Sequence, residues 1–146
     1  MKSKLIDSSH ERTFALVFEP GEEVMAELLR FCTEHKLAAA HLTAIGAFER
    51  VTLGFFELQR KDYKRIPINE QVELMSLVGN VARDNQGQPK VHAHVVVGKS
   101  DGTAHGGHLL DAYVRPTLEV LVIESARQMY RTTRPDLGLA LLDLER

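Results

Sequence analysis

The segment KVHAHVVV, residues 90–97, decides the fold because it predicts a strand whose two faces differ in chemistry. Alternate residues of a strand point to the same face, so His92 and His94 present two imidazoles side by side. The valine and alanine residues around them face the other way. The strand therefore offers one apolar face to a core and one face that can chelate a metal ion.

A third imidazole follows a predicted connection. Residues 98–107 contain Asp101-Gly102, which is typical of a hairpin-like turn. Gly106-Gly107 permits close approach of the backbone to a neighbouring strand, which makes His108 the natural third ligand. His105 precedes these glycines, and we interpret it as a solvent-exposed loop residue or as a residue that supports a ligand.

Three imidazoles suit zinc, copper, iron or nickel, and three protein ligands leave a tetrahedral ion with one open position. We expect one such metal ion at His92, His94 and His108. Catalysis at such a site also needs a general acid or base, for which Glu73 is the first candidate and Asp111 the second. The alternative is that these histidines pack at an oligomer interface or make ordinary hydrogen bonds, because an H-x-H pair alone is a weak motif.

Outward from this segment the sequence predicts further strands, at residues 13–19, 71–81 and 117–124, and a pair within 37–59. A turn near Gly46-Ala47 joins the pair, and we interpret His41 in its first strand as a hydrogen-bonded core or interface residue. In the strand at 71–81, alternation places Val72, Leu74, Ser76 and Val78 on one face and Glu73, Met75 and Leu77 on the other. Polar residues 61–69 predict a loop, and the tail from residue 125 predicts a final strand or a short helix.

One helix is expected from Glu22 to about His35, because apolar residues recur there at helical spacing. Cys32 lies on this apolar stripe, so we interpret it as a small core residue. It is the only cysteine, which excludes an intrachain disulfide and suits a reducing cytoplasm. Strands outnumber helices without a regular strand-helix alternation, so the predicted class is α+β with a mainly antiparallel sheet.

The composition predicts a single domain at residues 12–146 that follows an N-terminal extension at 1–11. The formal charge of −2 and the pI near 6.4 are unfavourable for binding a phosphate backbone. Neither a signal-peptide core nor an apolar run long enough to span a membrane is found, so we expect a cytoplasmic protein.

Five segments in order resemble the prokaryotic branch of the plants-and-prokaryotes conserved (PPC) domain family, over about residues 12–125. They are GEEVMAELLRFCTEH (21–35), AAHLTAIGAFERVTLGFFEL (39–58), ELMSLVGNV (73–81), PKVHAHVVVGKSDGTAHGGHLLDAYV (89–114) and TLEVLVIE (117–124). The pairing of H-A-H with a later G-G-H-L is the strongest element. The resemblance implies an antiparallel sheet flanked by helices, assembly as a homotrimer, and zinc at the three histidines named above.

The plant members of this family follow AT-hook motifs in DNA-binding nuclear proteins, which gives a second hypothesis of a DNA-associated regulator. No AT-hook of the R-G-R-P kind is present, and Gln71 replaces the arginine of the plant patch G-R-F-E-I-L, whereas Glu73 is retained. The only notable basic cluster is Arg60, Lys61, Lys64 and Arg65. A third hypothesis is a trimeric protein-interaction module. The first hypothesis remains a metal-binding domain that binds or transforms an unidentified small molecule.

Overall fold

The computed structural model describes residues 1–7 and 11–145, which form one sheet of nine strands and one helix. In chain order these are β1 (Lys2–Asp7), β2 (Thr13–Phe18), α1 (Val24–Glu34), β3 (Ala40–Glu57), β4 (Asp62–Ile68), β5 (Val72–Arg83), β6 (Pro89–Gly98), β7 (Ala104–Glu124), β8 (Tyr130–Arg134) and β9 (Leu139–Asp143). The sheet order is β1-β2-β7-β3-β5-β8-β9, with β4 beside β3 and β6 between β5 and β7.

Neighbouring strands run antiparallel except for one parallel bridge between Arg83 of β5 and Tyr130 of β8. The predicted mainly antiparallel sheet is therefore confirmed. The resemblance implied a sheet flanked by helices, but α1 is the single helix within the described residues. Strand β1, inside the predicted N-terminal extension, pairs with β2 and so adds an edge strand to the sheet.

Helix α1 packs against β6 and β7 through the apolar stripe that its sequence predicts. Val24, Leu28, Phe31 and Cys32 are buried on this face. Burial raises the pKa of the Cys32 thiol to about 12, because the charged thiolate is poorly solvated there. The thiol is thus a core group, as predicted.

No helix of the described residues is long and apolar enough to cross a membrane.

The predicted turn near Gly46-Ala47 is wrong, because β3 continues for 18 residues through this point. The strand bends here instead, with shifts of pairing register on both sides of Gly46. Gly46 has a φ of +152°, and a Cβ there would lie 2.5 Å from the carbonyl oxygen of Thr117. The glycine therefore allows β7 to approach a bent strand and does not reverse the chain.

Two further expectations need correction. Residues 61–69 contain strand β4, which pairs with the second half of β3, because its polar side chains belong to an exposed strand and not to a loop. In β5 the predicted alternation holds only to Met75, where a bulge shifts the register against β6. Beyond it Leu77 is buried and Val78 is exposed, the reverse of the predicted faces. The tail, whose sequence predicted either a strand or a short helix, forms two strands, β8 and β9, which pair as a hairpin.

Four strands form a closed circuit, since β3 pairs with β5, β5 with β6, β6 with β7 and β7 again with β3. The apolar core includes residues from all four, among them Phe48, Leu77, Val95 and Leu109. This arrangement fixes the inner strands from both sides. Side chains at the junction of β6, β7 and the second half of β3 therefore have defined neighbours.

Candidate metal centre

The three predicted ligands meet at the pairing of β6 with β7. His94 lies directly opposite His108, and His92 is two residues earlier on the same strand. The ring centroids are 5.1 Å apart for His92 and His94, 5.0 Å for His92 and His108, and 5.4 Å for His94 and His108. One nitrogen of each ring lies within 4.8 Å of the others. The structure thus brings together all three histidines that the sequence singled out.

Glycines at the neighbouring positions permit this approach. A Cβ on Gly107 would lie 2.9 Å from the carbonyl oxygen of Gly54 and 3.2 Å from the side chain of Leu53, so β7 fits against β3 only because this residue is glycine. The prediction of a close backbone approach just before His108 is therefore confirmed. On the other side, Gly54 pairs with His108 and leaves room for the ring of Tyr63.

Burial and neighbouring positive charge favour the neutral form of two of these imidazoles, His108 and His92. Burial, followed by repulsion from His92, His94 and Arg131, lowers the pKa of His108 to about 4. The pKa of His92 is lowered first by burial and then by Arg131 and His94. A neutral imidazole is the form that binds a metal ion, so at neutral pH these two rings are ready to act as ligands.

The donor set fits a zinc-type ion. Zinc–nitrogen bonds of about 2.0–2.1 Å in a tetrahedron place ligand nitrogens about 3.4 Å apart, so the three rings need to close by about 1.4 Å at most. Nδ1 of His108 is buried and has no hydrogen-bond partner among the described residues, which is an unfavourable state for a polar nitrogen. His94 is exposed, so the cluster is open to solvent on that side.

Tyr63 forms one wall of the cluster, which the sequence did not reveal because its segment was predicted to be a loop. Its ring stacks on His108 with the centroids 4.6 Å apart and the planes at 21°. Phe56 packs edge-on against Tyr63 at 5.1 Å. Residues 62–68 show no regular alternation of apolar and polar residues and are mostly exposed, so no local signal marked β4 as a strand.

Arg131 forms a second wall, and it is contributed by the tail whose structure the sequence left undecided. Its side chain lies on β8 with Nη2 at 3.2 Å from Nδ1 of His92 and at 2.7 Å from Oδ1 of Asn80. Among the described residues it is the one charged residue that is buried, with 7% of its surface exposed. A single arginine in a short strand carries no sequence signal that would have placed it here.

The candidate acid-base residues are not in the cluster. Glu73 is exposed and pairs with Gly98, four residues along β6 from His94. Asp111 accepts hydrogen bonds from Thr52 at 2.9 Å and from Arg65 at 2.7 Å. Neither carboxylate is brought to the three histidines, so the described geometry supplies no general base from these two residues.

His41 and His105 also lie apart from the cluster. His41 is an exposed residue of β3 that pairs with Asn80 and Ile123, so of the two predicted positions the core is wrong and an interface stays a prediction. His105 is exposed, as expected, but it lies on β7 opposite Val97 and not in a loop. Its Nε2 is 3.5 Å from the hydroxyl of Thr103.

Solved structures similar to this chain include two that are each 32% identical to it. One is a protein from Bacteroides thetaiotaomicron, provisionally named a DNA-binding protein, with a TM-score of 0.88 and coverage of 99% of both chains. The other is a metal-containing protein from Archaeoglobus fulgidus, with a TM-score of 0.82 and coverage of 94% of this chain and 97% of that one.

Among curated proteins, bifunctional protein GlmU of Synechococcus sp. (strain JA-3-3Ab) is 28% identical over 134 residues. That match covers 91% of this chain but only 20% of the relative, so the chain spans about a fifth of the length of that protein. The model of the Plants and Prokaryotes Conserved (PCC) domain matches residues 6–126. The resemblance noted from the sequence is confirmed, and the chain belongs to the Plants and Prokaryotes Conserved domain family, abbreviated PPC above.

Proposed function

We propose that this chain is a metal-binding protein whose three-histidine site holds zinc or a similar divalent ion and binds a small molecule at the open coordination position. The observation that carries the proposal is the convergence of one nitrogen each from His92, His94 and His108 within 4.8 Å. Three neutral ligands hold a divalent ion without cancelling its charge, so the ion stays a Lewis acid toward a fourth ligand.

The comparisons support this proposal at the level of the family. The relative from Archaeoglobus fulgidus is named a metal-containing protein and is 32% identical over most of both chains. The neutral state of His108 adds a physical reason, because an imidazole with a pKa of about 4 does not need to release a proton before it binds a metal at neutral pH. We assign no reaction, since neither Glu73 nor Asp111 reaches the cluster.

We also propose that the protein assembles as a homotrimer through an exposed apolar face of the sheet. Five large apolar side chains on this face line one groove of about 470 Å³: Val17, Ile45, Met75, Val78 and Leu121. Ile45 and Met75 each expose 61% of their surface. A contiguous apolar patch of this kind is unfavourable in water and is typical of a contact between subunits.

A DNA-associated role is the second candidate, because the relative from Bacteroides thetaiotaomicron is provisionally named a DNA-binding protein. The basic cluster offers it limited support. Arg60 forms an ion pair with Glu57 at 3.0 Å, Arg65 forms one with Asp111 at 2.7 Å, and Lys61 donates to a backbone carbonyl. Two of the four cations are thus already neutralised, and the net charge of −2 opposes binding to phosphates.

Two further proposals concern the extent of the domain and the cellular compartment. We propose that residues 12–146 form a single PPC-like domain and that the protein works in the cytoplasm, where a lone buried thiol such as Cys32 remains reduced. A trimeric protein-interaction module, in which the histidines have no metal, is the third candidate. In contrast to the first candidate, it needs neither a metal ion nor a small-molecule ligand, so a trimer that forms without metal and binds no ligand would favour it.

The decisive experiment is elemental analysis of the purified protein beside the His92→Ala, His108→Ala double variant. A His41→Ala, His105→Ala double variant is the matched control, because it removes two exposed histidines outside the cluster. We expect about one ion per chain in the wild type and the control, none in the first variant, and a mass near 49 kDa for three chains of 16.4 kDa. Absence of metal from the wild type even after zinc is offered would refute the proposal. Salt-dependent retention of the metal-free protein on DNA would then favour the DNA-associated role.

A further inference from the structure

The guanidinium of Arg131 lies beside the three-histidine cluster with its charge unpaired. Its hydrogen-bond acceptors are the carbonyl oxygen of Ala140 at 3.0 Å, Oδ1 of Asn80 at 2.7 Å and Nδ1 of His92 at 3.2 Å, all of them neutral groups. No ion pair in the described part of the chain includes Arg131. Its Nε is buried without a partner. A buried cation with only neutral partners is an unfavourable arrangement unless an anion is bound nearby.

A metal ion on the histidines increases the need for an anion. The three ligands are neutral, so a divalent ion brings its full charge of about +2 next to the guanidinium. The side chain of His94 is exposed, so a solute reaches the cluster from that side. The site therefore attracts a small anion, and the guanidinium provides the directional donors that select one with two oxygens.

Metal binding also releases an N–H group of Arg131, whichever nitrogen of His92 is the ligand. If Nδ1 binds the metal, its lone pair no longer accepts the hydrogen bond from Nη2. If Nε2 binds the metal, Nδ1 of the neutral ring carries the proton and faces Nη2 as a second donor. In either case the bond observed between Arg131 and His92 is lost, and Nη2 gains a free donor beside the metal.

We propose that the open metal position takes a small oxyanion, with one oxygen on the metal and another held by the unpartnered Nε–H and the freed Nη2–H of Arg131. This inference rests on the proposed function and names the ligand class of the same site. Carboxylates and inorganic phosphate share the required chemistry, since both present two oxygens to a guanidinium fork. Arg131 lies beyond residues 6–126, which the family model matches, so this specificity comes from the tail hairpin.

The test uses the chelator-treated chain of residues 1–146 reloaded with Co²⁺, whose visible absorption reports the fourth ligand. Acetate, oxalate and inorganic phosphate are titrated as separate probes, with acetamide as the uncharged control. Arg131→Gln is expected to weaken binding of the oxyanions about 10- to 100-fold, because a charge-assisted hydrogen bond is lost. Cobalt affinity should be unchanged or higher, because a competing cation is removed.

Arg134→Gln is the matched control, since Arg134 is exposed on the same strand and pairs with Asp136. If Arg131→Gln fails to fold by circular dichroism, Arg131→Lys keeps the charge but removes the fork, and it should lose oxalate and phosphate binding more than acetate binding. Which probe binds more tightly identifies carboxylate or phosphate as the ligand. Absence of cobalt binding by the wild type would refute the proposed function itself. Cobalt binding with no spectral response to any oxyanion, or equal oxyanion affinity in wild type and Arg131→Gln, would overturn this inference alone.

Discussion

Replacing His94 with Gln should remove most of the stability that zinc gives to the folded chain while leaving the metal-free fold intact. His94 is exposed, so its replacement is expected to change the free energy of unfolding of the metal-free protein by no more than about 0.5 kcal/mol. The nitrogens of all three histidines lie within 4.8 Å of one another, so each ring supplies one third of the protein ligands. The variant should therefore separate metal binding from folding.

The size of the effect follows from mass action. At a free zinc concentration 100 times the dissociation constant, an ion that binds only the folded state stabilises it by about 2.7 kcal/mol. A variant with 100-fold weaker binding gains only about 0.4 kcal/mol under the same conditions. With an entropy of unfolding of about 2.1 cal/mol/K per residue, a 146-residue chain shifts its Tm by about 9 °C in the first case and about 1 °C in the second.

The assay is thermal unfolding of chelator-treated protein with and without zinc, at a fixed protein concentration because assembly also affects the Tm. His41→Gln is the matched control, since His41 is likewise an exposed histidine on an inner strand. It should show the full zinc-dependent shift. A full shift in His94→Gln would show that zinc stabilises the protein from some other place, and the reasoning from the cluster would be refuted.

Three further predictions test the fold. In urea titrations, Gly46→Ala should lower the free energy of unfolding by about 3 kcal/mol or more, because the new side chain is strained and clashes with the facing strand. Gly21→Ala, at a positive φ but with open space around it, should lower it by about 1–2 kcal/mol. The hydrogen bond from Arg12 lowers the pKa of Glu124. The stability that this bond contributes is therefore present above the ordinary carboxyl pKa and is lost as the pH falls through the lowered value. Glu124→Gln should reduce that loss in urea titrations from pH 7 to 3, and an unchanged profile would contradict the assignment. Cys32, buried and with a pKa of about 12, should react with iodoacetamide at pH 8 far more slowly in the folded protein than in urea, and equal rates would show that the helix does not pack as described.

The sequence predicted the position of a side chain correctly wherever that position depends on the geometry of one strand or one helix. The alternation in residues 90–97 correctly placed His92 and His94 on one face, because the period of a strand is fixed by its backbone. The spacing of apolar residues in α1 correctly predicted the buried face of the helix, because the helical period is also fixed by the backbone. His108 was found because glycines before it signalled a close approach, which the contact of Gly107 with β3 explains.

The sequence was insufficient where the outcome depends on pairing between distant segments. The bulge at Met75 exchanges the buried and exposed faces of β5, and nothing in the local pattern marks the extra residue. Tyr63 lies opposite Phe56 in the hairpin of β3 and β4, but it meets His108 only because β3 also pairs with the distant β7. Arg131 meets His92 only because β8 lies beside the distant β5. An exposed apolar face also disturbs the usual rule that apolar residues are buried, as Val78 and Ile45 show.

The strand continuity that the sequence did not predict is what makes the candidate site possible. If β3 turned back at Gly46, its second half would not continue alongside the first half of β7, and Gly54 would not lie opposite His108. Strand β4, which carries Tyr63, pairs only with that second half. The ring that stacks on His108 therefore depends on a bend in β3 eight residues before Gly54. A change at Gly46 should consequently alter the metal site as well as stability, although Gly46 itself contacts β7 at Thr117, far along the strand from His108.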